Sequence, residues 1–291
     1  MAAHLPLQRI HSSIASRVAT RSFRVFEQSK RCFNEVVGVH PSAGLLILGC
    51  QRSGTTHLER LFRADMRSVI FSEFSDLSFD PGSVVWVDLS DVQRRLARAP
   101  GRYVVVRSLF ASHRAVEILD SLRSLRVIWM IRPAAEVVAS MISKWGDRFE
   151  AISRRVETDD AGDWDLASLW GDVHNEAQRL STAERGTLPY QRDVYALYWH
   201  ARNRTFFDLG LESDSRVRVL SYQTLLDDPM RVMADLRQDI GVSDTSLRFP
   251  LRTQRRTPKA AAPDLLSPMI RETCDALYAR LLSVEARVEP C

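Results

Sequence analysis

Two unbroken apolar runs stand out along the chain, Leu45-Leu46-Ile47-Leu48 and Val127-Ile128-Trp129-Met130-Ile131. Runs of this length fit strands buried on both faces. No apolar run nears the ~18–20 residues that a membrane helix needs. Shorter stretches at Val84–Val87, Tyr103–Val106 and Val217–Leu220 predict further strands. Between them the spacing changes to that of helices. There is an amphipathic run from His57 to Phe62, a stripe at Val116, Leu119 and Leu122, and a strong helix over 134–145. Two more helices are expected, around 194–209 and near 230–240, the last closed by Gly241. Strands separated by helices predict a parallel sheet covered on both faces. Residues 146–193 break the alternation. They are rich in Asp, Glu and Trp, and read as helices and loops over the acceptor side of a site, with Trp164 and Trp170 suited equally to acceptor contact or packing.

Composition narrows the class. The 291 residues are 45% hydrophobic and 26% charged, which excludes collagen, disorder throughout and a disulfide-stapled miniprotein, and predicts a soluble globular chain. There are 40 basic and 36 acidic side chains, and residues 1–44 alone hold six basic against two acidic, so the excess of +4 lies there and the rest is neutral. With no nucleic-acid-binding motif present, nucleic acid is set aside as a partner. Residues 1–44 read as a basic leader or helix, and 45–291 as one catalytic domain. The acid-free start suits an organelle transit peptide or a surface helix, and the expected location is otherwise cytoplasmic. Cys32, Cys50, Cys274 and Cys291 form no ligand cluster, so reduced thiols and no metal site are expected. The only lysines are Lys30, Lys144 and Lys259.

The chemistry begins after the first strand. In Gly49-Cys50-Gln51-Arg52-Ser53-Gly54-Thr55-Thr56 a buried strand runs through a glycine-containing turn into a helix, the arrangement that cradles a phosphate with backbone N–H groups. The two glycines have nucleotide P-loop spacing, but Thr55 stands where an NTPase needs its lysine, leaving Arg52 as the loop's only cation. A second anion site is indicated by Arg132, at the end of a strand, with Ser140 and Lys144 four apart on one helix face. Glu136 lies in the same stripe.

These residues resemble the sulfotransferases that use 3′-phosphoadenosine 5′-phosphosulfate (PAPS). Arg52-Ser53-Gly54-Thr55-Thr56 looks like their 5′-phosphosulfate loop. Arg132 and Ser140 match the pair that holds the cofactor's 3′-phosphate. Ser140-Met141-Ile142-Ser143-Lys144 is closest to the tyrosylprotein, Golgi-type branch, where a cation four residues beyond the Ser adds to that contact. Pro133 directly after Arg132 departs from the usual Arg-x-Pro. A third similarity lies in Ser221-Tyr222-Gln223-Thr224-Leu225 through Pro229, where Tyr222 suits cofactor contact or packing. The resemblance spans about residues 45 to 241 and implies a three-layer, P-loop-like α/β fold with a central parallel sheet flanked by helices. It also implies sulfuryl transfer from PAPS, leaving 3′-phosphoadenosine 5′-phosphate (PAP), without a metal.

Transfer to a hydroxyl or amine needs a base for the acceptor proton. Glu73, flanked by Phe71 and Phe74 and read as opening the next apolar stretch, is the first candidate, in the region where Golgi-type members carry a catalytic Glu. His113 is the second, in the part of the fold where cytosolic members carry a base His. His57 is read against the adenine, and Lys259 in a late basic loop over the cofactor. The acceptor, whether small molecule, glycan or peptide, and the oligomeric state are not encoded in any motif. A P-loop kinase, with Asp88 as its Mg²⁺ ligand, and a binding protein without turnover are the rival readings.

Overall fold

The computed structural model describes residues 25–73, 75, 77, 88–151, 166–242 and 265–287. Helix α1 spans 25–37. Then follow β1 (Gly44–Gly49), α2 (Thr55–Arg63), β2 (Ser68–Phe71), α3 (Leu89–Arg98), β3 (Tyr103–Arg107), α4 (Ala115–Ser121) and β4 (Leu125–Ile131). The chain continues through α5 (Ala134–Trp145), α6 (Leu166–Leu180), α7 (Leu188–Asp208), β5 (Val217–Ser221), α8 (Tyr222–Asp227), α9 (Pro229–Asp239) and α10 (Pro268–Glu285). The strands form one parallel sheet in the order β2-β3-β1-β4-β5.

The apolar runs become central strands because each faces a core on both sides. Leu46 and Leu48 of β1, with Val127, Trp129 and Ile131 of β4, enter the core covered by α3 to α7 and α10. Leu45 and Ile47, with Ile128 and Met130, enter a second core beneath α2 and α9. All four β1 side chains are fully buried, and each such burial stabilises the fold by about 1.5–3 kcal/mol. The result is the expected three-layer α/β architecture.

Several elements were not evident in the sequence. Strand β2 is four residues long and carries no alternation that marks it. Glu73 therefore lies just past the C-terminal end of a strand, where the sequence reading had it opening an apolar stretch. Pro133 caps α5 with ψ 136° instead of occupying its first turn. Asp88, the presumed Mg²⁺ ligand of the kinase reading, caps α3 by accepting a 2.7 Å hydrogen bond from the Ser90 N–H. Trp170, suited in the sequence equally to acceptor contact or packing, is fully buried and stacks on Tyr198 at 4.7 Å, which is the packing alternative. Residues 1–24, Phe74, Val84–Val87, Trp164, Lys259 and Cys291 lie outside the described residues. Among the described residues no helix is long and apolar enough to cross a membrane, and no cluster suits a metal ion.

Chain order fixes where a site can lie. From β1 the chain runs outward to β2, returns to β3 beside β1, then crosses to β4 on the other side. The loops after β1 and β4 lead to helices on opposite faces, which opens a crevice at the C-terminal ends of those two strands. One long-range pair braces this frame: Arg237 of α9 donates to Asp65 at 3.0 Å, both side chains nearly inaccessible. Arg237→Met would deprive a buried carboxylate of its guanidinium and should cost about 3–5 kcal/mol in urea unfolding. Adding Asp65→Leu should recover most of that loss.

Candidate active site

The loop after β1 is shaped by close approach. A Cβ on Gly49 would sit 2.5 Å from the Met130 carbonyl oxygen, and one on Gly54 2.2 Å from the Tyr222 ring. Both glycines have positive φ, 119° and 96°, so two separate constraints exclude other residues. Arg52 also has positive φ, 69°, a conformation that costs a side-chain-bearing residue about 1–2 kcal/mol. Gly54 opens α2 with no side-chain cap, and its carbonyl accepts from the His57 N–H at 2.8 Å. The Ser53 hydroxyl is fully buried and has no hydrogen-bond partner. Thr55 is buried beside it, while Thr56 is exposed.

Arg52 reaches across the crevice and donates from Nε to the Ser140 hydroxyl at 2.9 Å, joining segments 88 residues apart. Arg132 donates from Nη1 to the Arg52 carbonyl at 3.3 Å, pairs with Glu136 at 2.9 Å and lies 4.7 Å over the Tyr222 ring. Tyr222 thus packs on the loop and on Arg132 together, with His57 edge-on to it at 6.1 Å. Burial and the Arg60 charge lower the His57 pKa. Arg52 and Lys144 both sit against Trp145, at 5.5 and 4.9 Å from the ring centre. Desolvation, then the charges of Arg52 and Arg107, lower the Lys144 pKa. A partly desolvated lysine beside further cations marks a place where an anion would be stabilised. The structure therefore brings Arg52, Ser53, Gly54, Thr55, Arg132, Ser140, Lys144 and Tyr222 to one mouth.

Glu73 stands beside the next strand end. One carboxylate oxygen accepts from Arg107 at 3.0 Å, the other from the Phe110 N–H at 3.0 Å. Burial raises its pKa above the usual carboxylate value, against the opposing charges of Arg107 and Arg202 and the N–H groups of Phe110 and Leu109. Arg107 also pairs with Glu59, which accepts from Arg63 and Ser72 at 2.8 Å each. Burial pushes Glu59 up, but Arg107 and those hydrogen bonds outweigh it and hold it below its usual value. Arg107 was not evident in the sequence as a site residue; its place after Val104-Val105-Val106, at the end of a central strand, was the available signal. His113 is displaced to about 4 by burial and then by Arg202 and Arg114, so it is neutral near pH 7 and has no advantage in basicity over a carboxylate.

No protein-family model matches the chain, and no curated protein matches it. Among solved structures it is similar to a sulfotransferase from Alicyclobacillus acidocaldarius, with 18% identity, TM-score 0.45, and 86% of this chain and 96% of that one covered. A sulfotransferase from Mycobacterium avium follows at 13% identity and TM-score 0.45, over 86% of this chain and 78% of that one. The sulfotransferase domain of a Synechococcus olefin synthase gives 14% identity and TM-score 0.39, over 85% and 94%. Likenesses this distant identify neither ligand nor activity, and the functional reading rests on the residues at the mouth.

The two carboxylates on Arg107 should respond oppositely to pH. The pKa of Glu73 is raised in the folded state, so between its unfolded and folded values the native state binds more protons, and stability falls as pH rises. Wild type should therefore lose stability relative to Glu73→Gln as pH rises from about 4. The pKa of Glu59 is lowered, so its contribution is present above its unfolded value and lost as pH falls. The penalty for Glu59→Gln should accordingly shrink on acidification. Urea unfolding from pH 3 to 8 reads both slopes.

Proposed function

We propose that this chain is a sulfotransferase transferring a sulfuryl group from PAPS to an acceptor hydroxyl or amine. The observation that carries the reading is the meeting of Arg52 and Arg132 with Ser140 and Lys144 at the ends of β1 and β4, the four residues whose sequence pattern resembles the phosphosulfate and 3′-phosphate sites. The orphaned Ser53 hydroxyl and the Gly54 turn fit a phosphoryl or sulfuryl group against the loop. PAPS supplies an activated sulfuryl group on a phosphosulfate anhydride.

The protein's part is positioning and electrostatics. Arg132, Ser140 and Lys144 bind the 3′-phosphate. Arg52, with the N–H groups of 53–56, neutralises charge at the 5′ end and on the transferring oxygens. Tyr222 and His57 lie against the bound nucleotide. Glu73 takes the acceptor proton; its burial makes it a stronger base than an exposed carboxylate, and Arg107 sets its orientation. His113 is the weaker candidate for base because its neighbours oppose protonation. The kinase alternative has neither the loop lysine nor Asp88 available for Mg²⁺.

Calorimetric titration with PAP tests the cofactor. Metal-independent binding is expected, weakened roughly 10- to 100-fold by Arg132→Ala or Ser140→Ala through loss of charge-assisted hydrogen bonds. Binding of ATP that requires Mg²⁺, with none of PAP, would overturn the reading. Glu73→Gln should keep PAP affinity within about threefold and cut PAP release from PAPS, across a panel of phenol and amine acceptors, by at least ~100-fold. Wild-type PAP binding without turnover on any acceptor would favour the non-catalytic binding protein.

A further inference from the structure

A separate cavity of about 450 Å³ runs along β2, the outermost strand of the sheet, between α1 and the last turn of α3. Its size falls within the ~300–1,000 Å³ of small-molecule sites. Its apolar lining comes from β2, with Val69 and Phe71 on the face toward the α3 core and Ile70 on the face toward the α2 core. Cations line it from three helices, Lys30 and Arg31 from α1, Arg63 from α2, and Arg95 and Arg98 from α3, with Glu27 as the one acid in the lining.

Lys30 is the feature that a merely structural groove does not explain. Its side chain is only 6% exposed, and its ammonium donates to two neutral oxygens, Ser68 Oγ at 2.7 Å and the Arg63 carbonyl at 3.1 Å. An ammonium carries three hydrogens, so two such bonds leave donor capacity over. The two nearby acids are both engaged with arginines, Asp65 with Arg237 at 3.0 Å and Glu27 with Arg63 at 2.7 Å. Burial accordingly lowers Lys30 to about 8, with Asp65 and Glu27 opposing and Arg63 reinforcing the shift. Arg95 and Arg98, exposed on α3, add two more positive charges at the rim.

We propose that this cavity binds a small amphipathic organic anion, an aryl or medium-chain carboxylate or sulfonate. Its apolar body lies on Val69, Ile70 and Phe71, and its charge meets Lys30, Arg95 and Arg98. An inorganic anion would leave the apolar wall wet, and a neutral hydrocarbon would leave the ammonium unmatched. None of Arg52, Arg132, Ser140 or Lys144 lines this cavity, so the site stands apart from the crevice at β1 and β4.

Fluorescence titration of the full chain with 8-anilinonaphthalene-1-sulfonate, without and with saturating PAP, tests the site. One saturable site is expected, with affinity unchanged by PAP and with 1-naphthoate competing. The double variant Arg95→Glu/Arg98→Glu, confined to exposed side chains, should weaken binding at least tenfold with the near-ultraviolet circular dichroism unchanged. Lys30→Met, similar in length and uncharged, should weaken it comparably. Absence of saturable binding, or full affinity in both variants, would overturn the proposal, as would displacement of the probe by PAP. Failure of PAP itself to bind would count against the sulfotransferase reading and leave this site untouched.

Discussion

The Arg107 guanidinium is shared by two buried carboxylates, and the geometry of the candidate site depends on that sharing. Glu59 comes from the helix that opens the anion loop, and Glu73 from the end of β2. Two carboxylates in one desolvated place cannot both stay ionised cheaply, and a single cation between them divides its stabilisation. Glu59, held in addition by Arg63 and Ser72, keeps its charge. At Glu73 burial outweighs the groups that favour its charge, and its pKa is left raised. Secondary structure alone would place these side chains in the same region; the ion pairs fix their orientation and make their proton affinities unequal.

The same economy of position governs the anion mouth. A parallel sheet with this strand order opens at the ends of β1 and β4, and the chain meets that opening twice, in the turn after β1 and at Arg132. The turn tolerates a left-handed Arg52 although glycine would suit the backbone better. That strain has a return, because the guanidinium then spans the crevice to Ser140. Backbone strain at a residue that also carries the loop's charge is what a site retained for binding would display. Trp145 contributes from the other side, its ring offsetting the repulsion between Arg52 and Lys144.

How far this could be read from the sequence varied with how local the determinant was. The β1 and β4 runs were legible because full burial on both faces leaves no polar residue inside them. Helix α5 was legible to the residue, since its apolar period begins after a proline and ends before a glycine. Ser140 and Lys144 could be paired from helical spacing alone. By contrast β2, at four residues, has too few positions to show a period, and α3 and α10 carry apolar faces too diluted by charge to stand out from loops. Arg107 was illegible for another reason. Nothing near it in the chain is acidic, and its two carboxylates lie 48 and 34 residues away. Asp88 erred in the opposite direction, because an acid after an apolar stretch looks like a metal ligand until the helix that it caps is seen.

Lys30 sets the β2 cavity apart from the mouth at β1 and β4. At the mouth, several cations are set on strand ends and a helix face around a crevice, where Arg52 and Arg107 add to the burial that lowers the Lys144 pKa. In the β2 cavity a single ammonium is depressed chiefly by burial, and the arginines at its rim are exposed. A polyanion gains most where several charges converge, while an apolar monoanion gains most where one desolvated charge adjoins an apolar wall. The two regions thus suit different chemistries. Arg63 stands between them, lining the cavity while holding Glu59, and Glu59 holds Arg107.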